Sequence, residues 1–124
     1  MFQGSDAILV GLWKRRVEVH PVKGRSATKY VMFYESAGDF RSTAPLHGAA
    51  HRVRLVEFQD QGTLLMAGTL SDPENGDAIA VFTTCEAAQD FIKDDPFVLH
   101  GVVRHWTIRA WNETFGPEQP RADT

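Results

Sequence analysis

Short stretches of apolar residues recur between residues 28 and 111, with polar clusters between them. Most of these stretches contain β-branched or aromatic residues without helical spacing, which is typical of strands. The last one alternates apolar and polar residues, as a strand with one buried face does. The pattern predicts four strands, at residues 29–34 (KYVMFY), 63–68 (TLLMAG), 77–82 (DAIAVF) and 102–111 (VVRHWTIRAW).

Two helices are predicted between these strands. The first covers residues 45–61, because Pro45 suits a first-turn position, which tolerates its missing N–H, and Gly62 is a typical C-terminal stop. The second follows Thr83, which together with Glu86 has the spacing of a capping box, and it ends at an Asp-Asp-Pro sequence.

The first predicted helix has apolar side chains on two sides. On a helical wheel, one apolar sector lies apart from a second sector that contains two histidines. Both sides of this helix are therefore expected to be covered. The first sector contains Leu46, Ala49, Ala50, Val53 and Val56, and the second contains His47, His51, Leu55 and Phe58.

The order of these elements is β-α-β-β-α-β. This order is the signature of an α+β, ferredoxin-like split βαββαβ fold, a four-stranded antiparallel sheet with two helices on one face. Several strands carry apolar residues on both faces, although helices cover only one face of such a sheet. The bare face predicts a homodimer, because a large exposed apolar patch is rare.

The length of 124 residues fits one domain, which we place at residues 28–111. Residues 1–27 are interpreted as an N-terminal extension, an extra strand or an arm. The first five residues are equally consistent with native sequence and with the scar that a tag-removing protease leaves. Residues 112–124 contain two prolines and predict a flexible C-terminal tail.

Composition and charge restrict which cellular compartment and which classes of partner are expected. Hydrophobic residues make up 43% and charged residues 23% of the chain, as in ordinary globular proteins, and the net charge of -3 does not favour nucleic acid or anionic lipid. The apolar run at residues 7–13 is too short for a membrane span, and its basic residues follow it, unlike those of a secretory signal. A single cysteine, Cys85, fits a reducing compartment. We therefore expect a cytoplasmic protein without nucleic-acid or membrane partners.

The candidate chemistry centres on His51. Imidazole titrates near neutrality, and a nearby carboxylate can fix its tautomer for general acid or base catalysis. Asp95 is a candidate for this partner. The structural alternatives are a helix histidine that bonds a backbone carbonyl and an aspartate whose side chain closes a turn before proline. Asp72, which precedes Pro73, has the same two interpretations.

His47 and His51 are four residues apart, a spacing that can ligate a metal ion. No glutamate accompanies them in an HExxH arrangement, so no metal site is expected. His47 is instead a candidate for substrate binding. Arg54, one turn after His51, is another, because a guanidinium can bind a carboxylate through two hydrogen bonds. The alternative for Arg54 is a solvated surface residue.

Three strings occur in a characteristic order: HRVRLVEFQDQGTLLMAG at 51–68, SDP at 71–73 and DDPFVLHGVV at 94–103. Together they resemble the YciI-like family over about residues 28–111. This resemblance implies a dimeric α+β barrel with a pocket in which His51 and Asp95 are the catalytic residues. The chain departs from the family pattern in its N-terminal extension and at Arg52, where an apolar neighbour of the histidine is usual.

The expected function is that of a small enzyme without a cofactor. It would move a proton on a small organic acid or ring compound, as an isomerase or an HX-eliminating lyase, with His51 as the base and Asp95 as its orienting partner. Two alternatives stay open. One is a non-catalytic module that binds a metabolite or regulates, and the other is a haem- or oxygen-using relative on the same fold with a histidine as axial ligand.

Overall fold

The computed structural model of the protein describes residues 28–117, of which residues 28–113 form one compact unit. The predicted N-terminal extension, residues 1–27, and the end of the predicted tail, residues 118–124, lie outside the described residues. In the described part, no helix is both long and apolar enough to cross a membrane.

Four strands and three helices occur in the described part of the chain, and all four predicted strands are among them. Their ends lie no more than two residues from the predicted ends. The elements are β1 Thr28–Ser36, α1 Phe40–Asp60, β2 Leu64–Thr69, β3 Ala78–Phe82, α2 Cys85–Lys93, α3 Pro96–Leu99 and β4 Val103–Asn112.

The strands form one antiparallel sheet in the order β2-β3-β1-β4. The first strand is therefore central, and its Phe33 lies opposite Ile79 of β3 and Thr107 of β4. This order confirms the predicted α+β, ferredoxin-like fold. Each crossover connects two parallel strands across one antiparallel neighbour, β1 to β2 through α1 and β3 to β4 through α2. Because such crossovers are right-handed, α1 and α2 lie on the same face of the sheet.

The first helix begins at Phe40, five residues before the predicted start at Pro45. Pro45 lies inside the helix, where the N–H that it lacks would have bonded the carbonyl of Arg41. The first turn is held by the Asp39 carbonyl, which accepts hydrogen bonds from the backbone N–H groups of Ser42 and Thr43. The helix thus starts from this carbonyl, and the proline does not mark its beginning.

A third, short helix follows α2 where the sequence indicated only a helix end. Asp95 is its N-cap and Pro96 its first residue, which is a common start for a helix because proline needs no N–H partner there. Gly101, with φ of 76°, then turns the chain toward β4. This short helix carries the side chains that shape the candidate site.

The core lies between the sheet and the two longer helices. Met32 and Tyr34 point from β1 toward the helices, since side chains alternate along a strand, and Phe33 points to the opposite face. The buried cluster consists of Met32, Tyr34, Phe58, Leu64, Ala80, Phe82, Ala87, Ala88, Phe91, Ile92 and Val103.

Candidate functional site

Asp95 is the centre of the candidate site. It lies between α2 and α3, with none of its surface exposed to solvent. Its Oδ1 accepts a hydrogen bond from the backbone N–H of Phe97 at 3.2 Å, which is the capping bond of α3. The local start of this helix therefore fixes the position of a fully buried carboxylate.

Two side chains from other elements complete the environment of this carboxylate. The hydroxyl of Tyr34 on β1 donates to Oδ2 at 2.6 Å, and Nδ1 of His51 on α1 lies 2.7 Å from Oδ1. A buried carboxylate needs such donors, because removing a charge from water costs several kcal/mol otherwise. With three donors around it, Asp95 acts as an acceptor and places the ring hydrogen of His51 on Nδ1.

The ring of His51 is held in position by an aromatic contact as well. It stacks on the ring of Phe97, with 3.9 Å between the centroids and 8° between the planes, and the edge of Phe91 approaches at 6.1 Å. The side chain is 18% exposed. The ring of His51 is thus held by Asp95 at Nδ1 and by Phe97 on one face. Nε2 is the ring nitrogen left for a ligand.

Tyr34 remains protonated throughout the physiological range. Burial and the adjacent Asp95 carboxylate raise the pKa of the Tyr34 phenol far above its usual range. A phenol that keeps its hydrogen is a permanent donor to the carboxylate. Tyr34 therefore holds one oxygen of Asp95 while His51 contacts the other.

Arg54 lies one turn after His51 and contacts the end of α2. Its Nε donates to the carbonyl of Phe91 at 3.0 Å, and its Nη2 donates to the carbonyl of Asp90 at 2.5 Å. The guanidinium also lies over the rings of Phe58 and Phe91, at 5.0 and 5.6 Å from their centroids. These contacts fasten α1 to α2, and a substrate-binding role for Arg54 stays a prediction.

His47, one turn before His51, stacks on another histidine. Its ring is parallel to that of His100, the C-cap of α3, within 1° and at a centroid distance of 4.1 Å. Together with the stack of His51 on Phe97, it forms a ladder of two ring pairs between α1 and α3. His47 thus borders the candidate site, which leaves its predicted substrate contact open.

Asp72 lies away from the pair of His51 and Asp95. Asp72 lies in the exposed loop between β2 and β3, before the cis Asp72–Pro73 peptide bond. Within residues 28–117, no group of three histidine, cysteine or acidic side chains is placed to hold a metal ion. The structure therefore brings His51, Asp95 and His47 into one region and leaves Asp72 in a loop.

A shallow cleft of about 470 Å³ lies at the carboxyl end of β1. Its lining includes Glu35, Arg41, Asp77 and Arg104, and none of the predicted site residues. Its charged groups are already engaged, since Arg104 pairs with Glu35 at 3.1 Å and Arg41 donates to the Glu74 carbonyl at 3.0 Å. The cleft is thus separate from the His51 site.

Comparison with known proteins decides the family. The sequence model of the YCII-related domain matches residues 28–112. This chain belongs to that family. The match covers all four strands and all three helices described above. The predicted resemblance, made from three strings, is confirmed.

Two curated relatives of this YCII-related protein are the proteins called YciI from Escherichia coli O6:H1 and from Shigella flexneri. Each is 29% identical to it over 96 residues, which is 69% of this chain and 98% of the relative. A solved structure is also similar, that of 5-chloro-2-hydroxyhydroquinone dehydrochlorinase from Burkholderia phenoliruptrix AC1100 in complex with 2,5-dihydroxybenzoquinone. Its TM-score is 0.56 at 13% identity, covering 67% of this chain and 92% of that one, so it supports the fold.

Sequence reasoning missed two residues of this YCII-related site, Tyr34 and Phe97. A signal for Tyr34 was present, because alternation along KYVMFY places it on the same face as Met32, and a buried tyrosine hydroxyl needs a hydrogen-bond partner. For Phe97, the Asp-Pro start of α3 was the signal, since it places Phe97 one residue inside a helix. Neither signal indicates that these residues lie next to His51 and Asp95.

Proposed function

We propose that this protein is a small enzyme without a cofactor that moves a proton on a small organic acid or ring compound, as an isomerase or an HX-eliminating lyase. One observation carries the proposal. The buried carboxylate of Asp95 lies 2.7 Å from Nδ1 of His51, so Nε2, which bonds no other described residue, is the ring nitrogen left for a ligand. A histidine oriented by a buried carboxylate is the usual arrangement of a general base.

In this mechanism, Nε2 of His51 takes a proton from a C–H or O–H group of the ligand. The electron pair of that bond forms a new double bond in the ligand. In the lyase case, the halide leaves with the electron pair of the carbon–halogen bond, and in the isomerase case a second carbon receives the proton. The carboxylate of Asp95 stabilises the imidazolium that forms between these events, because the opposite charges lie in contact and the carboxylate is fully buried.

The expected substrate is planar and carries hydroxyl or carbonyl groups. The neighbouring solved structure is named a dehydrochlorinase and was solved with a dihydroxybenzoquinone, which favours an elimination on a hydroxylated ring over other proton transfers. The partly exposed ring of Phe97, which lies parallel to the ring of His51, suits a flat substrate beside it.

The test is release of chloride from 5-chloro-2-hydroxyhydroquinone and related halogenated hydroquinones by the native chain and by two variants. In His51→Asn, the amide nitrogen replaces Nδ1 as the donor to Asp95, but the base at Nε2 is lost. We expect His51→Asn to fold normally and to lose at least about a hundredfold in rate, the usual contribution of a general base. Equal rates in the native chain and His51→Asn would refute the proposal. Binding of 2,5-dihydroxybenzoquinone without turnover of any compound would favour the metabolite-binding module.

We also propose that the protein is a cytoplasmic homodimer in which two sheets pack face to face. The face of the sheet opposite the helices presents Phe33, Met66 and Trp111, all exposed in the single chain. Burying such a surface against a second copy removes apolar area from water. Phe33→Glu should then halve the mass measured by light scattering. An unchanged mass for Phe33→Glu would contradict the sheet-to-sheet dimer.

A further inference from the structure

The side of α1 that faces away from the core carries a line of apolar side chains. Leu46, Val53 and Val56 are 76%, 59% and 41% exposed, and Ala49 is exposed between them. We call these four residues the outer stripe. The opposite side of the helix supplies Phe58 and His51 to the core and the site. A helix that is apolar on two opposite sides is expected to be covered on both.

The spacing of the outer stripe is that of a coiled-coil seam. Its members are separated by three, four and three residues, so Leu46 and Val53 occupy a positions, and Ala49 and Val56 occupy d positions. Ala50 at the neighbouring e position adds only a methyl group, so the larger apolar side chains all lie at a and d. Such a stripe is narrower than the face with which a helix covers a core, and it is typical of pairing with one other helix. The outer stripe therefore favours a single helix as its partner.

Charges beside the outer stripe indicate which helix. Arg52 precedes Val53 at a g position, and Glu57 follows Val56 at an e position, on opposite sides of the seam. Both are exposed, and neither forms an ion pair with another described residue. In a parallel pair, a g residue faces the e residue five positions later on the other helix. Two copies of α1 would therefore place Arg52 of each copy beside Glu57 of the other.

We propose that the outer stripe of α1 is a contact between two copies of this chain, with the two helices parallel about a two-fold axis. An antiparallel pair is disfavoured, because it sets the g side of one helix against the g side of the other. Arg52 of one copy would then lie near Arg52 of the second copy, and the two positive charges would repel. The contact is distinct from the open face of the sheet, which lies on the other side of the helical layer. Two different self-complementary surfaces on one chain predict assembly beyond a dimer.

The test is sedimentation equilibrium of the full chain over a concentration series, with charge variants on the flanks. Arg52→Glu and Glu57→Arg each place like charges across the seam and should weaken association, whereas the double variant restores opposite charges and should recover it. Lys93→Glu, an exposed change on α2, is the control and should leave association unchanged. Val53→Glu, which buries a charge in the seam, should raise the dissociation constant by at least about tenfold.

A cross-link tests the parallel direction. A Leu46→Cys substitution in a Cys85→Ser background puts one thiol in each copy. In the parallel pair these thiols face each other across the seam, and oxidation should give a disulfide-linked dimer. In an antiparallel pair centred on the stripe they are separated by ten residues of helix, about 15 Å. The proposal is overturned if Val53→Glu leaves the mass unchanged at every concentration, if the double charge variant fails to recover association, or if no disulfide-linked dimer forms.

Discussion

Replacing His51 by alanine should test whether the buried carboxylate depends on this histidine. The substitution leaves Asp95 fully buried with two donors, the Tyr34 hydroxyl and the Phe97 N–H, instead of three. Removing one partner of a buried pair costs about 3–5 kcal/mol. Because two donors remain, we expect a loss near the lower end, about 3 kcal/mol in the free energy of unfolding. For a domain of this size, this corresponds to a decrease of roughly 12–24 °C in Tm.

His51→Asn is the matched control for this measurement. Its amide N–H replaces Nδ1–H as the donor to Asp95, so the carboxylate stays partnered. What is lost is the stack of the His51 ring on Phe97, whose centroid distance is 3.9 Å, and such ring pairs contribute about 0.5–1.5 kcal/mol. A third variant, His51→Ala with Asp95→Asn, removes the buried charge itself. It should be more stable than His51→Ala alone, since an amide costs less to bury than a carboxylate.

Urea unfolding followed by circular dichroism measures all three variants, with the slope m showing whether the unfolding transition stays comparable. The order expected for the free energy of unfolding is native, then His51→Asn, then His51→Ala. If His51→Ala costs no more than His51→Asn, the carboxylate does not rely on the histidine. The orientation of His51 by Asp95 would then have to be abandoned.

Three further perturbations follow from the remaining contacts. Burial and Asp95 raise the pKa of Tyr34, so its neutral form is favoured in the folded state, and stability present below pH about 10 is lost as pH rises. Above that pH, the unfolding free energy of the native chain should fall more steeply than that of Tyr34→Phe, by up to about 1.4 kcal/mol per pH unit. Parallel curves from urea unfolding at alkaline pH would contradict this. Arg54→Ala leaves two carbonyls at the end of α2 without their donor and should cost about 1–3 kcal/mol in urea unfolding, whereas the exposed Lys93→Ala should cost under about 0.5 kcal/mol. Gly76→Ala combines a φ of 86° with a Cβ only 2.6 Å from an aromatic carbon, so its Tm should fall further than that of Gly62→Ala, which has a φ of 85° and open space; equal shifts would show that the crowding is relieved at no cost.

The strands could be predicted because their signal is local. Each one is a short apolar stretch between polar clusters, rich in β-branched or aromatic residues and without helical spacing. The start of α1 could not be predicted in this way. Pro45 is typical of a first turn, but the Asp39 carbonyl holds a turn before it, and nothing in the local pattern distinguishes the two cases.

Only part of the candidate site could be predicted, because its contacts join residues that are far apart in the sequence. The pairing of His51 with Asp95 followed from the family resemblance, since the 44 residues between them give no periodic signal of contact. The helical wheel of α1 separated its two apolar sides, but it did not say which side the sheet covers. The structure places the sector of His51 and Phe58 inward, so the other sector, around Val53, is left at the surface. Only tertiary packing makes that choice.

Asp95 shows why the two sequence interpretations of an aspartate before proline were not alternatives. A carboxylate offers about four acceptor positions on its two oxygens, and the cap of α3 uses only one of them, through the Phe97 N–H. The remaining positions accept the hydroxyl of Tyr34 and face the ring of His51. Because the cap and the tyrosine fix both oxygens, the carboxylate has no rotational freedom left with which to follow the imidazole. The capping role of Asp95 is therefore what would make it effective in orienting His51. A capping aspartate that is also fully buried should be examined for a third partner.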